Sequence, residues 1–219
     1  MKHWQEDFAN VVFLRSSDTA HDLKTPLNIA VLNLELLRMR VRKLVSEEDD
    51  PKLIEYSGAI ETELRRMARI FDTFFVLSTP PRGEGDPADL DVAPIVEELA
   101  EEAGYGVVAS PAAKVAVHES RIRQALKLFL DGASNLIAED GRRLDVQYDN
   151  TSFRLAVSGR PVGDDFEPTR IFKFYYTDPL GNPDVTLAAA RLIVETYGGE
   201  LNAAGESDNV SLRLTLPTR

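Results

Sequence analysis

Apolar residues recur every three or four positions in two stretches near the start of the chain. The first stretch has them at Leu23, Leu27, Ala30, Leu34, Leu37, Val41 and Leu44, with Ile29, Val31, Leu32 and Leu36 widening the apolar surface. The second stretch has them at Leu53, Ile60, Leu64, Met67, Phe71 and Phe74. This spacing predicts two amphipathic helices, and the acidic turn Glu47–Pro51 between them predicts an antiparallel hairpin. Because a lone hairpin cannot bury such broad apolar faces, the pattern also predicts a homodimer whose two hairpins form a four-helix bundle.

The remainder of the chain alternates between strand-like and helix-like segments. The strand-like segments are Lys114–His118, Arg143–Tyr148, Ser152–Val157 and Asn209–Leu216. The helix-like segments are Val92–Ala103, Arg121–Ile137 and Val185–Thr196. Helices interleaved with strands predict a sheet covered on one face. The chain is therefore predicted to be of the α+β class, with an α/β sandwich following the helical hairpin.

A stretch rich in proline, glycine and charge, Ser78–Asp89, separates these two patterns. Such a composition is typical of a linker. We therefore predict a lead-in at 1–16, a helical hairpin at 17–79, a linker at 80–89 and a second domain at 90–219.

Composition narrows the possible functions of this 219-residue chain. A formal charge of −11 argues against nucleic acid as a partner, because binding it needs a basic face. The absence of cysteine excludes disulfides and thiolate chemistry. No apolar run approaches the roughly 18 residues of a membrane span, and the N-terminus lacks the pattern of a secretory signal. The sequence therefore predicts a soluble, cytoplasmic protein.

The first predicted helix carries a histidine on its polar face, within a row of polar residues that is here called its polar stripe. His21 shares this stripe with Asn28, Glu35 and Arg42, which follow at intervals of seven, while Thr25 lies one turn below it. The neighbouring Asp22 has two interpretations that carry similar weight. Its carboxylate can orient the imidazole and raise its basicity, or it can simply be an acid favoured by the helix dipole. The arrangement offers a nitrogen nucleophile with a carboxylate beside it.

The stretch Ala20–Leu27 reads Ala-His-Asp-Leu-Lys-Thr-Pro-Leu and resembles the phosphoacceptor box of sensor histidine kinases, usually written His-Glu-Leu-Arg-Thr-Pro-Leu. The identical positions are His21, Leu23, Thr25, Pro26 and Leu27, and Asp22 and Lys24 keep the charge of the family residue. The resemblance implies phosphorylation of His21, dimerisation through the hairpin and partnership with receiver domains. It further suggests that Thr25 positions a water for receiver dephosphorylation.

The second domain resembles the ATP-binding domain of the same family in the order of its segments. The matching sequence segments are Arg121–Leu126, Ile171–Tyr175 and Arg191–Leu201. Two of the three nucleotide boxes of that family are altered as follows. Leu128 and Gly132 stand where the family has two asparagines, the second of which holds magnesium, and Ser158, Arg160 and Val162 stand where it has the Asp-x-Gly-x-Gly adenine box. Asp131 and Asn135 are displaced by one and three positions, and an offset of one rotates a side chain by about 100°.

The third box, which should offer glycine backbone N–H groups to phosphate, is also altered. It reads Asn182-Pro183-Asp184-Val185-Thr186-Leu187, so Asp184 would set a negative charge where the polyphosphate lies. Pro183 removes one donor. Coordinated loss of three boxes predicts a protein that uses neither nucleotide nor metal.

Three functions remain compatible with these residues. The first is a histidine phosphotransfer protein of a phosphorelay, in which His21 accepts a phosphoryl group from a receiver aspartate and passes it on, with Asp22 and Thr25 in supporting roles. The second is an ATP-dependent histidine kinase with atypical nucleotide ligands. The third is a dimeric scaffold that never carries phosphate. The intact box around His21 favours the first, and His3 and His118 are interpreted as ordinary residues without a functional role.

Overall fold

The structure is a computed structural model in which the described residues are 27–41, 51–78, 85–106, 112–149, 151–163, 166–174, 176–179, 181, 184–206 and 209–218. The chain divides into two compact units, Met1–Pro80 and Pro81–Arg219. The predicted site residues His21, Asp22 and Thr25 lie outside the described residues, so their arrangement stays a prediction.

The first unit contains the two predicted helices. Helical backbone is described over residues 27–41 (α1) and over Pro51–Ser78 (α2). Two ion pairs join them: Arg38 with Glu61, and Glu35 with Arg65. Because the earlier residue of α1 pairs with the later residue of α2, the two helices run antiparallel. The predicted helical hairpin is therefore confirmed.

The hairpin leaves one apolar stripe uncovered when a single chain is considered. Among the seam positions of α1, Leu27 is buried, Ala30, Leu34 and Val41 are half-buried, and Leu37 is exposed. The exposed apolar side chains of α1 include Ile29, Leu32, Leu36 and Met39, which follow one another at intervals of three, four and three. Such spacing defines a second stripe along the helix, here named the outer stripe. On α2, Ile60 and Met67 are likewise exposed.

The second unit alternates strands and helices. Its elements are β1 (Ala88–Asp91), α3 (Ala93–Glu102), β2 (Lys114–Val117), α4 (Glu119–Leu136), β3 (Arg143–Tyr148), β4 (Ser152–Gly159), α5 (Thr186–Thr196), β5 (Glu200–Glu206) and β6 (Asn209–Pro217). The strands form a two-stranded antiparallel sheet, β1-β2, and a four-stranded antiparallel sheet in the order β3-β4-β6-β5.

One face of the four-stranded sheet carries the core of this unit. Phe153, Leu155 and Val157 alternate along β4 with less buried residues, and Leu212, Leu214 and Leu216 do the same on β6. Helix α5 packs on β5 and β6, α4 packs on α5, and α3 packs on α4. The prediction of an α+β chain whose sheet is covered by helices is confirmed.

Two strands were missed by the pattern of apolar positions. Strand β1 begins at Ala88, inside the range predicted to be linker, and two of its four residues are aspartates, so its apolar signal is weak. The Asp91 carboxylate fixes the end of β1 by accepting hydrogen bonds from the backbone N–H groups of Ala93 and Ala113, each at 3.1 Å. Strand β5 is rich in alanine and glycine, so its apolar signal is weak.

Candidate functional site

Helix α4 presents a glycine where the family resemblance implies a magnesium-holding asparagine. Gly132 is buried, and a Cβ atom at this position would lie 2.7 Å from both Leu187 Cγ and Thr186 Oγ1. Leu187 is itself only 3% exposed, so it has little room to move away. The first turn of α5 thus fills the space that an asparagine side chain at position 132 would need.

The N-terminus of α5 is bonded to a carboxylate of the chain itself. Asp184 is 7% exposed, and its Oδ1 accepts hydrogen bonds from the Thr186 backbone N–H at 2.8 Å and from the Thr186 hydroxyl at 2.6 Å. Its Oδ2 accepts a third hydrogen bond from the Asn135 amide at 3.0 Å. A helix N-terminus attracts anions, and here the anion is a side chain of the protein.

The loop that follows β4 is fastened to the C-terminal end of α4 through its backbone. Val162 N–H donates to the Leu136 carbonyl, and Ala138 N–H donates to the Arg160 carbonyl, both at 2.9 Å. This loop corresponds to the adenine box, whose family form keeps glycine at the positions of Arg160 and Val162. Both side chains are exposed, so the loop offers neither a carboxylate nor bare backbone there.

Of the two displaced polar residues of α4, one contacts the start of α5 and the other pairs with a residue of its own helix. Asn135 reaches Asp184, whereas Asp131 lies near Lys127, with 4.0 Å between Oδ2 and Nζ. Asn135 closes the contact between α4 and the start of α5, so it stabilises the fold at this point.

A magnesium–polyphosphate group does not fit these residues. The position of the expected asparagine has no side chain and no space for one, and the Thr186 N–H is already bonded to Asp184. Within the residues that the structure describes, no group of three or more histidines and acids is placed to hold a metal ion.

His118 has specific partners, which its sequence neighbours did not reveal. Its Nδ1 lies 2.7 Å from the Tyr197 hydroxyl, and its Nε2 lies 2.9 Å from the Gly85 carbonyl oxygen. The neutral ring satisfies both contacts if Nε2–H donates to Gly85 and Nδ1 accepts from Tyr197. The side chain therefore ties Gly85, three residues before β1, to Tyr197 at the end of α5, which makes His118 a structural histidine.

Residues 16–83 match the family described as His Kinase A (phospho-acceptor) domain. These residues are therefore similar to the phosphoacceptor domain of histidine kinases. No curated protein matches the chain's sequence significantly.

Two solved structures are similar in fold to this chain. Full-length ShkA, determined in complex with AMPPNP, superposes with a TM-score of 0.56 at 19% identity over 93% of this chain. The chain spans 45% of the length of ShkA. The catalytic domain of the histidine kinase ThkA superposes with a TM-score of 0.50 at 17% identity, covering 61% of this chain and 96% of that domain.

None of the helices that the structure describes combines the length and the apolar character that a membrane crossing requires.

Proposed function

We propose that this chain is a histidine phosphotransfer protein that exchanges a phosphoryl group with receiver aspartates at His21 and does not use ATP. In the accepting step, the P–O bond of the aspartyl phosphate breaks, a P–N bond forms to the imidazole, and the receiver carboxylate leaves. Such transfer depends mainly on positioning and charge, so a nucleotide site is not required.

The observation that carries this proposal is the occupied N-terminus of α5. The Asp184 carboxylate takes the place of an external anion there, and Leu187 takes the space beside Gly132. A polyphosphate would have to displace a hydrogen-bonded, buried carboxylate and would then face its negative charge. What remains for chemistry is the phosphoacceptor domain, which the family match supports at residues 16–83.

Nucleotide binding is expected to be undetectable. Titration of Mg²⁺-ATP into the full chain in a calorimeter should give no saturable heat up to about 1 mM. A dissociation constant of about 1 mM corresponds to a binding free energy of only about −4 kcal/mol, so the titration covers even weak binding. A parallel titration with AMP, which lacks the polyphosphate, tests whether any heat comes from contact with the adenine base alone. Low-micromolar binding of Mg²⁺-ATP would contradict the proposal.

An ATP-dependent histidine kinase is the second candidate, and one observation favours it. The chain superposes over 93% of its length on ShkA, a structure determined with AMPPNP. Incubation with γ-labelled ATP and Mg²⁺ separates the two candidates, because only the kinase labels itself without a receiver. A label on wild type that is absent from His21→Ala would establish the kinase.

The supporting roles of Asp22 and Thr25 belong to the same proposal. If Asp22 orients the imidazole, Asp22→Asn should slow transfer from a phosphorylated receiver by about tenfold or more. If Asp22 only complements the helix dipole, the rate should stay near that of wild type while stability falls slightly. Thr25→Ala should slow loss of phosphate from the receiver without preventing labelling of His21. The rates are measured by quenched-flow autoradiography.

The outer stripe leads us to propose a homodimer. Light scattering coupled to size exclusion should give twice the chain mass of 24.3 kDa. The double variant Leu32→Glu/Leu36→Glu should weaken dimerisation by about 100-fold or more, since each substitution places a charge where an exposed leucine would be buried by the second chain. Asn33→Glu, exposed on the same helix, should remain dimeric. A monomeric wild type, or an unaffected double variant, would contradict the dimer.

A further inference from the structure

The four-stranded sheet carries its apolar core on one face, and its opposite face, here named the open face, is mostly polar. Successive side chains of a strand point to opposite faces, so the neighbours of the buried core residues point to the open face. All of these side chains are exposed or half-buried, and they include Asp145 and Gln147 on β3, Arg154 and Ala156 on β4, Arg213 on β6 and Ala204 on β5.

A hollow of about 280 Å³ opens on this face and is lined by Asp145, Gln147, Arg154, Ala156 and Arg213. The strand register explains the hollow, because Ala156 on β4 stands between Asp145 on β3 and Arg213 on β6. The methyl group of Ala156 forms the floor, and larger side chains form the walls. The volume lies just below the roughly 300–1,000 Å³ that is usual for a small-molecule site, so it suits an inserted side chain.

The two arginines of the hollow are close neighbours in the sheet. Arg154 is the register partner of Thr215, which lies two residues beyond Arg213 on β6. Residues in such diagonal positions on adjacent antiparallel strands lie about 7–8 Å apart, so both guanidinium groups can reach the same ligand. Two like charges at this separation repel each other, and an anion between them relieves the repulsion.

Both arginines keep N–H donors for a ligand. Arg213 forms no ion pair with any residue that the structure describes. Arg154 pairs with Asp149 at 3.0 Å, and Asp149 does not line the hollow. Because a guanidinium has five N–H donors, Arg154 can bind a second acceptor.

The charges that line the hollow favour a carboxylate. Two arginines and one aspartate give the lining a charge of +1, in a chain whose formal charge is −11. The Asp145 carboxylate lies on the β3 side and accepts a hydrogen bond from the Gln147 amide at 2.7 Å. It would repel a phosphate group, which carries up to two negative charges, more strongly than a carboxylate, which carries one.

We propose that this hollow binds carboxylate side chains of an acidic partner segment, which lies in extended form across the open face. Arginine donates two parallel hydrogen bonds to a carboxylate, and this fork makes the contact selective. Alternate side chains of an extended segment point the same way and repeat about every 7 Å, close to the separation of the two arginines. The binding is separate from phosphotransfer at His21 and does not depend on it.

Two peptides of equal length test the proposal, both acetylated and amidated so that only side chains differ in charge. One has the sequence Gly-Glu-Gly-Glu-Gly and the other Gly-Gln-Gly-Gln-Gly. Each is titrated into the full chain and followed by saturation-transfer NMR. The glutamate peptide should saturate below about 10 mM and bind at least about fivefold more tightly than the glutamine peptide. A smaller ratio, no saturation, or tighter binding of inorganic phosphate in a competition titration would overturn the proposal.

A charge variant locates the binding. Arg213→Gln should weaken binding of the glutamate peptide by about fivefold, because it removes one of the two guanidinium groups. Lys114 is exposed on β2 and does not line the hollow, so Lys114→Gln, which removes the same charge, should bind as wild type does. Unchanged binding to Arg213→Gln, or an equal loss in Lys114→Gln, would contradict a specific site.

A blocking variant tests the hollow without changing its charge. Ala156→Leu should fill the floor and weaken binding of the glutamate peptide by about fivefold or more. Ala204→Leu adds the same side chain to the open face outside the hollow and should bind as wild type does. Retained affinity in an Ala156→Leu chain that circular dichroism shows to be folded would overturn the proposal.

Discussion

Replacing His21 with alanine should abolish phosphotransfer to this chain. When a receiver domain is charged with labelled acetyl phosphate and mixed with the chain, the label reaching His21→Ala should fall by about 100-fold or more relative to wild type. The physical reason is that phosphoryl transfer needs an exposed nucleophile held in line with the leaving oxygen, and His21 is the single histidine within the matched phosphoacceptor domain. Denaturing gels run without acid treatment preserve the P–N bond for the measurement.

The other two histidines are the controls, because each could carry a phosphoryl group chemically. His118→Ala and His3→Ala should be labelled as wild type is, since both ring nitrogens of His118 are already engaged and His3 lies outside the matched domain. Equal labelling of His21→Ala and wild type would leave the scaffold as the remaining function. Loss of label in His118→Ala, with the fold intact, would move the acceptor to the second unit.

The substitution Gly132→Ala should destabilise the second unit by about 1–3 kcal/mol. Alanine in a helix interior normally stabilises a protein by about 1 kcal/mol relative to glycine. At this position we expect the opposite, a loss of stability, because the added methyl group overpacks the core. The reversal follows from the distances of 2.7 Å between a Cβ atom at position 132 and the Leu187 and Thr186 side chains. Differential scanning calorimetry of the full chain measures it as a fall in the melting temperature of the second unit.

Gly58 offers the matched control, since it is also a helical glycine and a Cβ atom there would meet nothing within 4 Å. Gly58→Ala should therefore stabilise the helical hairpin by about 0.5–1 kcal/mol. A gain in stability for Gly132→Ala would mean that the contact between α4 and α5 is looser than described. An asparagine could then be accommodated at position 132, and the Asp184 carboxylate alone would still oppose a nucleotide.

The sequence predicted the architecture because the decisive patterns are local. The heptad positions of α1 and α2 specify amphipathic helices, and the acidic turn between them leaves an antiparallel hairpin as the simplest connection. Along β3, β4 and β6 the alternation is strong enough to locate strands within one or two residues. Strand β1 has Leu90 as its one large apolar residue and β5 likewise has few, so both strands give a weak apolar signal.

The sequence showed which residues of the candidate nucleotide site differ from the family, but it did not show which residues they contact. The negative charge of Asp184 near the phosphate position was expected from its place in the third box. Its partner Asn135 is 49 residues away in the sequence, and no local pattern reveals that they meet. Gly132 likewise looked like the loss of a ligand, whereas its buried contact with Leu187 shows that a side chain is excluded. The partners of His118 lie 79 and 33 residues away, which is why its sequence neighbours gave no sign of them.

The Asp184 carboxylate is covalently part of the chain, so its occupancy of the α5 N-terminus cannot vary with the concentration of any metabolite. A domain that binds a soluble anion gains stability as that anion accumulates and loses it during starvation. In this chain the corresponding contact does not require a dissolved anion. If the proposed function holds, the second unit should keep the same melting temperature whether or not ATP is present.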